Sequence, residues 1–510
     1  MGIPGYFGYL KRKYNIMDKR KARELNVDTL MVDANSLIYD ANHERDMEDD
    51  EDEMAYESDL IERVIQKIYE LVNDVKPKKV TYIAFDGLAP LLKMEQQRMR
   101  RFLNRKTTGW NTNKITPGTL FMQKLSYRIK QIETDCLKIS GSDERGEGEQ
   151  KLFKQLREKD GYTPVIMVHG KDADLIMLCL LHIKYADEIY IYRETDIINI
   201  NRLVNYLYYE MVPQPSEPSK SITTSSNDYQ QSKNHNQYHR YTTHQNMNVL
   251  DNKEDKIRKM DDYVFISYMK GNDFMVPILM CQDEEVMLWC YRKLGKPIIV
   301  KISDTTDETE INQENFKEYI CLMAEREDEV IGRIRKERER ESKRAENTIE
   351  CLPIKMRSII ELEMREMTPG WEVRYEMMNE VERKYKKRLC WMKRYNEGKE
   401  VKRVRVLSEM GPLMKKLKEE ENSEGSSSSS ESEMDERDQL VYVLPKEDSE
   451  LLKEVGIEGV NECIYPEEKE LKWTYKRRIW ESKVKLQRIR KRGKKEGEEN
   501  LYITTDTKAR

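Results

Sequence analysis

Residues 29–33 read Thr29-Leu30-Met31-Val32-Asp33, a short apolar run that ends on an aspartate. Two other stretches repeat the pattern. Val80-Thr81-Tyr82-Ile83-Ala84-Phe85 runs into Asp86, and Val165-Ile166-Met167-Val168 stops just ahead of Asp172 and Asp174. Runs this short, rich in β-branched and aromatic residues, read as buried strands. Helical periodicity fills the gaps between them. It covers a short start at Phe7 to Tyr14 and then residues 58–75, where Leu60, Val64, Ile65, Ile68, Leu71 and Val72 share a face. Further helices are predicted from about Leu91 to Asn104, over 118–134, from Glu149 to Lys159 and over 173–184, before a strand from Glu188 to Arg193. Strand-then-helix alternation predicts an α/β fold with a parallel sheet and helices on both faces.

In such a sheet the carboxyl ends of the strands line one crevice. Asp33, Asp86, Asp172 and Asp174 belong there by position. Glu147 and Glu149, in Gly146-Glu147-Gly148-Glu149, lie between the second and third strands, and Asp273 follows a helix-like stretch in Gly271-Asn272-Asp273-Phe274. Like charges 4 Å apart repel by about 1 kcal/mol in water and about 4 kcal/mol in a partly buried site. Divalent metal offsets that repulsion, and oxygen ligands suit Mg²⁺ or Mn²⁺. Two such ions about 4 Å apart activate a water and stabilise the leaving oxygen of a phosphodiester. The competing reading makes Asp33 and Asp86 helix N-caps at strand-to-helix turns; an acid at every strand end weakens it. In an extended segment Glu147 and Glu149 point the same way, and their glycines let the backbone approach a ligand closely. The bland alternative there is a flexible acidic loop. The chain has six histidines, and His235, His239 and His244 lie in a polar tract, so no nucleophile–histidine arrangement competes.

Beyond Asp86, Lys93, Gln97, Arg100 and Arg101 fall at i, i+4, i+7 and i+8, one helical face. Cations and an amide beside a metal site suit a terminal phosphate; an ordinary solvated basic face is the alternative. Tyr39, two turns past Asp33, is placed either to stack on a base, worth about 1–3 kcal/mol, or to pack in the core. Arg488 to Lys495 is a basic tail that reads as a nuclear import signal, a phosphate-binding patch or a solvated end.

The chain has 510 residues, 38% hydrophobic and 36% charged, which is too polar for one compact globule throughout. With 90 basic and 94 acidic residues the net charge is −4, so a nucleic-acid partner has to be argued from local patches. The eight cysteines show no metal spacing and read as reduced thiols. The longest apolar run, Leu175 to Ile183, is too short for a bilayer, the N-terminus lacks an apolar signal core, and Tyr6 breaks the myristoylation pattern after Gly2. The expectation is a soluble intracellular protein without a membrane partner.

The expected organisation is a catalytic core over 1–212 and 256–300, interrupted by a disordered insertion at 213–255, with order resuming at Asp261. An acidic loop is expected at Asp46 to Glu53. Residues 301–420 form a charged helical region, with a long exposed helix over 312–350. Residues 421–438 are an acidic Ser-rich disordered linker, and 439–510 pack back on the core before the basic tail.

Several blocks together resemble the XRN 5′→3′ exoribonucleases. They are Met1-Gly2-Ile3-Pro4-Gly5-Tyr6-Phe7, residues 32–39 (VDANSLIY), 86–102 (DGLAPLLKMEQQRMRRF), 115–122 (ITPGTLFM), 146–151 (GEGEQK), 172–178 (DADLIML) and 271–274 (GNDF), in matching order. A weaker second block runs Gly370-Trp371…Arg374-Tyr375, then Leu389-Cys390-Trp391…Arg394-Tyr395…Gly398, and continues in Gln439 to Pro445 and Tyr465-Pro466…Trp473. The family's aromatic Ser-Trp-x-Trp-Tyr stretch is missing after Gly398. The resemblance implies a PIN/flap-nuclease-like core and a site with two Mg²⁺ or Mn²⁺ ions, held by Asp33, Asp86, Glu147, Glu149, Asp172, Asp174 and Asp273. It implies a 5′-monophosphate pocket of Lys93, Gln97, Arg100 and Arg101, and a base-stacking residue at Tyr39, where the family has histidine. The expected activity is removal of nucleoside 5′-monophosphates, one at a time, from single-stranded RNA with a 5′-monophosphate. An activating protein partner is left unspecified, and the short C-terminal half and basic tail favour the nucleus. Two alternatives stand: a 5′ flap nuclease on DNA, disfavoured because no Gly-x-Gly helix–hairpin–helix follows Asp273, and an inactive RNA-binding scaffold.

Overall fold

The structure, a computed structural model, describes residues 3, 5–103, 109–158, 163–213, 252–303, 308–346, 385–399, 412–419, 435–445, 448–457, 469–470, 480–481, 484–488 and 501–505. Its centre is a seven-stranded sheet of β1 (Met17–Asp18), β2 (Thr29–Asp33), β3 (Val80–Ala84), β4 (Leu137–Ser140), β5 (Val165–His169), β6 (Glu188–Arg193) and β7 (Asp196–Asn199). The spatial order is β1-β7-β6-β5-β2-β3-β4. β6, β5, β2, β3 and β4 run parallel, and β7 and β1 close one edge antiparallel. Asp33 pairs in register with Ala84, and Val32 with His169, so the carboxyl ends of the three central strands lie level.

Along the chain the helices are α1 (Tyr6–Lys13), α2 (Asn35–Glu44), α3 (Glu53–Val75), α4 (Leu91–Leu103), α5 (Leu120–Lys130), α6 (Gly148–Glu158), α7 (Asp174–Leu181) and α8 (Ile200–Met211). They continue as α9 (Lys253–Ser267), α10 (Glu284–Leu294), α11 (Gln313–Glu346), α12 (Tyr385–Asn396), α13 (Met414–Glu419), α14 (Glu436–Val443) and α15 (Ser449–Glu454). Successive strand residues face opposite sides. Leu30 and Val32 join Ile83, Phe85 and Met167 in a core under α2, α3 and α5. Met31 faces the other way, with Tyr82, Ile166 and Val168, into the larger core that takes in α6, α7, α9 and α12. Asp33 continues the parity of Met31 and so faces α6 and α7.

Several expectations shift by physical causes. The expected acidic loop ends early, because Asp52 accepts from the Ala55 amide and starts α3. Order returns at Lys253, ahead of Asp261, because Asn252 caps α9; residues 214–251 lie outside the described residues. The helix expected to be exposed over 312–350 is α11, and one face of its first turns is buried. Phe316, Tyr319, Ile320, Met323, Ala324, Val330 and Ile331 form a buried stripe at helical spacing. The end of the tract expected to be disordered is the start of α14, fixed by a capping box between Asp435 and Asp438. Residues 421–434, 370–375, 465–468, 473 and 489–495, on which other expectations fell, lie outside the described residues. Cys136, Cys179, Cys281, Cys290, Cys321 and Cys390 are free thiols. Among the described residues no helix is long and apolar enough to cross a membrane.

The C-terminal pieces make a third core. Leu440, Val441, Tyr442, Val443, Leu444, Leu451 and Leu452 pack on Leu88, Leu91 and Met94 of the α4 region. Leu440 is fully buried over Gly118. Leu440→Ala should therefore cost about 2–5 kcal/mol of stability, read as a lower urea midpoint. A change within about 0.5 kcal/mol, as for an exposed site, would mean that this segment does not pack on the core.

Candidate active site

Asp33 is the last residue of β2, and Asp86 lies two residues beyond β3. Neither caps the helix after its strand: the N-cap of α2 is Ala34, with no side-chain cap. Asp86 instead turns toward the start of α6. Its Oδ1 accepts from the Gly148 amide at 2.7 Å, and its Oδ2 from Asn35 Nδ2 at 2.8 Å. Asn35 also accepts from the Asp86 amide at 3.1 Å, a two-way clasp that fixes the carboxylate.

Gly146-Glu147-Gly148-Glu149 is not extended. Gly146 is left-handed (φ 102°) and α6 begins at Gly148, so Glu149 lies in its first turn. A Cβ on Gly148 would sit 2.9 Å from the Ala84 carbonyl and 3.1 Å from Asp33 Oδ1, so the glycine is what allows α6 to start against the strand ends. Gly170 plays the same part beside β5, where a Cβ would lie 3.3 Å from the Asp33 Cβ. Lys151, one turn into α6, donates to the Phe85 carbonyl at 2.9 Å and the Gly141 carbonyl at 2.7 Å, tying the ends of β3 and β4 to the helix. Asp174 opens α7. Asp273 follows Gly271 (φ 83°), and Asn272 Oδ1 accepts from the amides of Phe274 and Met275, both at 2.9 Å, which holds that loop in a turn.

All seven acidic residues gather in one place. Asp33 feels the charges of Asp86, Asp172 and Glu147; Glu149 those of Glu147, Asp174 and Asp33; and Asp174 those of Asp273 and Asp172. Burial and this mutual repulsion push the Asp33 and Glu149 carboxyls well above the usual range. Burial, then Asp273, pushes Asp174 up to about 7. The Lys93 ammonium stands among them. Lys93 Nζ is paired with Glu147 and lies 3.3 Å from Asp273 Oδ2. Burial alone would lower the Lys93 proton affinity, but Glu147 and Asp273 overcome it and hold the ammonium charged.

The expected phosphate face is therefore divided by its surroundings. Lys93 is drawn into the carboxylates, whose combined potential attracts it. Gln97 accepts from Gln439 Nε2 of α14 at 3.0 Å. Arg101 donates to Tyr39 Oη at 3.2 Å and to the Ile115 carbonyl at 2.9 Å, which puts Tyr39 beside this face. Lys93, Gln97 and Arg101 are all buried, so a solvated basic face does not describe them. Arg100 is half-buried and interacts electrostatically with Asp172.

Sequence reasoning gave no role to Tyr395. Its hydroxyl donates to Glu147 Oε2 at 2.6 Å, the carboxylate whose other oxygen meets Lys93. Trp391 stacks on Tyr395 at 4.9 Å and 15°, and the Phe274 ring lies 5.2 Å from Tyr395. The signal was available as an aromatic pair at i, i+4 on α12.

Among the described residues no three His, Cys, Asp or Glu side chains already converge closely enough to hold an ion, since Lys93 stands where Glu147 and Asp273 meet. The donor set still fits hard divalent cations: it is all carboxylate oxygen, with Glu147 and Glu149 buried and the five aspartates half-buried.

The model of the family described as XRN 5′-3′ exonuclease N-terminus matches residues 1–109 and 104–195. The 5′-3′ exoribonuclease 1 of Schizosaccharomyces pombe is 32% identical over 216 residues, covering 36% of this chain and 16% of that protein. The 5′-3′ exoribonuclease 2 of Debaryomyces hansenii is 25% identical over 405 residues, covering 65% of this chain and 39% of that protein. The chain thus spans well under half the length of these relatives. The solved catalytic core of Rad2 in complex with DNA substrate overlaps 89% of this chain and all of that one, at 12% identity and a TM-score of 0.35, too loose an overlap to define a shared fold.

An Asp174 carboxyl that titrates near 7, against about 4 in the unfolded chain, keeps a proton the unfolded chain has lost. Metal-free stability should then fall as pH rises from about 4 to 7. A cation replaces the proton, so stabilisation by Mg²⁺ or Mn²⁺ should grow over the same window. At saturating metal the rise in Tm should reach about 5 °C at pH 8 and shrink toward pH 5. Thermal shifts that ignore metal at every pH would remove the cation site.

Proposed function

We propose that the chain is a metal-dependent 5′→3′ exoribonuclease acting on RNA with a 5′-monophosphate, a reading supported by the match of residues 1–195 to the model of the XRN 5′-3′ exonuclease N-terminus. The observation that carries the reading is the convergence of Asp33, Asp86, Glu147, Glu149, Asp172, Asp174 and Asp273 at the end of a basic and amide-bearing helix face. The carboxylates would hold two Mg²⁺ or Mn²⁺ ions, whose chemistry when bound is to polarise the scissile phosphoryl group and to activate water.

The chain's own residues prepare that event. Asn35 and the Gly148 amide orient Asp86. Tyr395 steadies Glu147 by donating to the oxygen that Lys93 leaves open. Admission of cations requires the Lys93 ammonium to withdraw from Glu147 and Asp273, because like charges compete for the same oxygens. A withdrawn Lys93 is free to meet a 5′-phosphate together with Gln97, Arg100 and Arg101. Anchoring that phosphate sets the next phosphodiester at the carboxylates, so nucleotides leave singly as 5′-monophosphates. A cap or triphosphate is excluded by size. Tyr39, held by Arg101, is the stacking surface for the first base. Work on RNA in the nucleus fits the basic tail at 488–495.

Digestion of 5′-phosphorylated, 5′-hydroxyl and capped RNA, with matched DNA, in Mg²⁺ and in chelator tests the reading. Mononucleotides should appear from the first substrate alone, and only with metal. Preference for DNA flaps would favour the structure-specific alternative, and no release from any substrate would favour a scaffold. Asp174→Ala should lower hydrolysis by about 10³-fold or more while RNA binding in a gel-shift assay stays intact; full activity in that variant would refute the site. Arg101→Ala should remove the preference for 5′-phosphate over 5′-hydroxyl ends, and an unchanged ratio of kcat/KM values would take Arg101 out of the pocket.

A further inference from the structure

We propose that Gln439, on the C-terminal helix α14, is a positioning residue for the 5′-phosphate, acting through the side-chain amide of Gln97. The inference rests on the phosphate pocket described above and adds a member from the other end of the chain, 342 positions away. A phosphate offers only acceptors, whereas a glutamine amide carries both a donor and an acceptor end. Gln97 helps bind phosphate only when its nitrogen faces the ligand. An unrestrained amide turns either way, since its last torsion is broad and roughly two-fold. Gln439 favours one of the two orientations: its Nε2 donates to Gln97 Oε1 at 3.0 Å, which turns the Gln97 nitrogen to the opposite side.

Two features separate this contact from ordinary packing. Gln439 is 0% exposed and its own Oε1 has no partner among the described residues. A buried amide with an unpaired oxygen is costly, and such groups call for a functional explanation. The helix that carries Gln439 is also fixed without it. Arg98, the neighbour of Gln97, donates to the Tyr442 carbonyl at 2.6 Å and lies over the Tyr442 ring. Asp448 accepts from Asn111 and Asn113, and Asn113 in turn donates to the Arg101 carbonyl. The clamp thus holds both flanks of the phosphate face, and Gln439 is left to set one amide.

The test is a double-mutant cycle on the full chain. Wild type, Gln439→Met, Gln97→Ala and the double variant are compared by kcat/KM on 5′-phosphorylated and 5′-hydroxyl RNA in Mg²⁺. Methionine keeps the volume and loses the donor. Gln439→Met should reduce the 5′-phosphate preference about tenfold, the loss of one hydrogen bond to a charged group, chiefly through KM and with 5′-hydroxyl RNA unaffected. It should add nothing in the Gln97→Ala background. Gln439→Glu, which accepts where glutamine donates, should lose the preference as well. A full preference in Gln439→Met, or effects that add across the cycle, would overturn the inference while leaving the pocket standing. A wild type without any 5′-phosphate preference would overturn the pocket and the inference together.

Discussion

Everything in this molecule bends around an excess of buried negative charge. Seven carboxylates from strand ends, helix starts and one loop meet in one place, and the Lys93 ammonium is paired with two of them, Glu147 and Asp273. Each close pair opposes folding by about 4 kcal/mol at the effective dielectric of a partly buried site. The fold answers in two ways: Asp33, Glu147, Glu149 and Asp174 hold their protons more tightly than usual, and Lys93 is drawn inward. Both answers are ones a divalent cation replaces. On the proposed function, the Lys93 salt bridge and the phosphate contact would be alternative states of one side chain, with the occupancy of the carboxylates selecting between them.

Close approach is what makes the charge density possible, and it is a backbone property before it is a side-chain one. β2 lies between β3 and β5, at the point where the chain switches from building one side of the sheet to building the other, so the strand ends open into a crevice. Gly148 and Gly170 let a helix and a loop come within side-chain contact of Asp33. Asn35 and the Gly148 amide then take one oxygen each of Asp86, and Tyr395 takes one oxygen of Glu147, whose other oxygen meets Lys93.

The parallel centre of this fold was legible because its strands are buried on both faces and read as unbroken apolar runs ending in acid. The edges were not. β4 reads Leu137-Lys138-Ile139-Ser140, whose alternate residues are half-exposed, and four residues of alternation carry little signal. β7 turns back from β6 through Glu194 and Thr195, with Glu194 at φ 56°, where an Asn-Gly or Asp-Gly pair would have announced a hairpin. The carboxylates were legible for the same reason as the central strands. The face of Lys93, Gln97, Arg100 and Arg101 was legible as a helical face, but periodicity says nothing of what an adjacent element offers. The capture of Lys93 by Glu147 and of Gln97 by Gln439 depends on contacts 54 and 342 positions apart.

That distance has a consequence for how the chain is built. The helix expected to read the RNA end, α4, packs its first turn on the C-terminal core through Leu91 and Met94 and on the carboxylates through Lys93. It is the one layer shared by the two. The C-terminal pieces 435–445 and 448–457 bury an apolar face of their own by lying on it, on Leu88 and over Gly118. Charged residues alone could not fix such a helix, because exposed ion pairs contribute about 0–1 kcal/mol each. Burial of Leu440, Tyr442 and Leu452 supplies about 1.5–3 kcal/mol per side chain. Apolar packing from the far end of the chain therefore sets the height and rotation of the helix over the acidic crevice, and polar contacts such as Asn113 to Asp448 choose the register within that constraint.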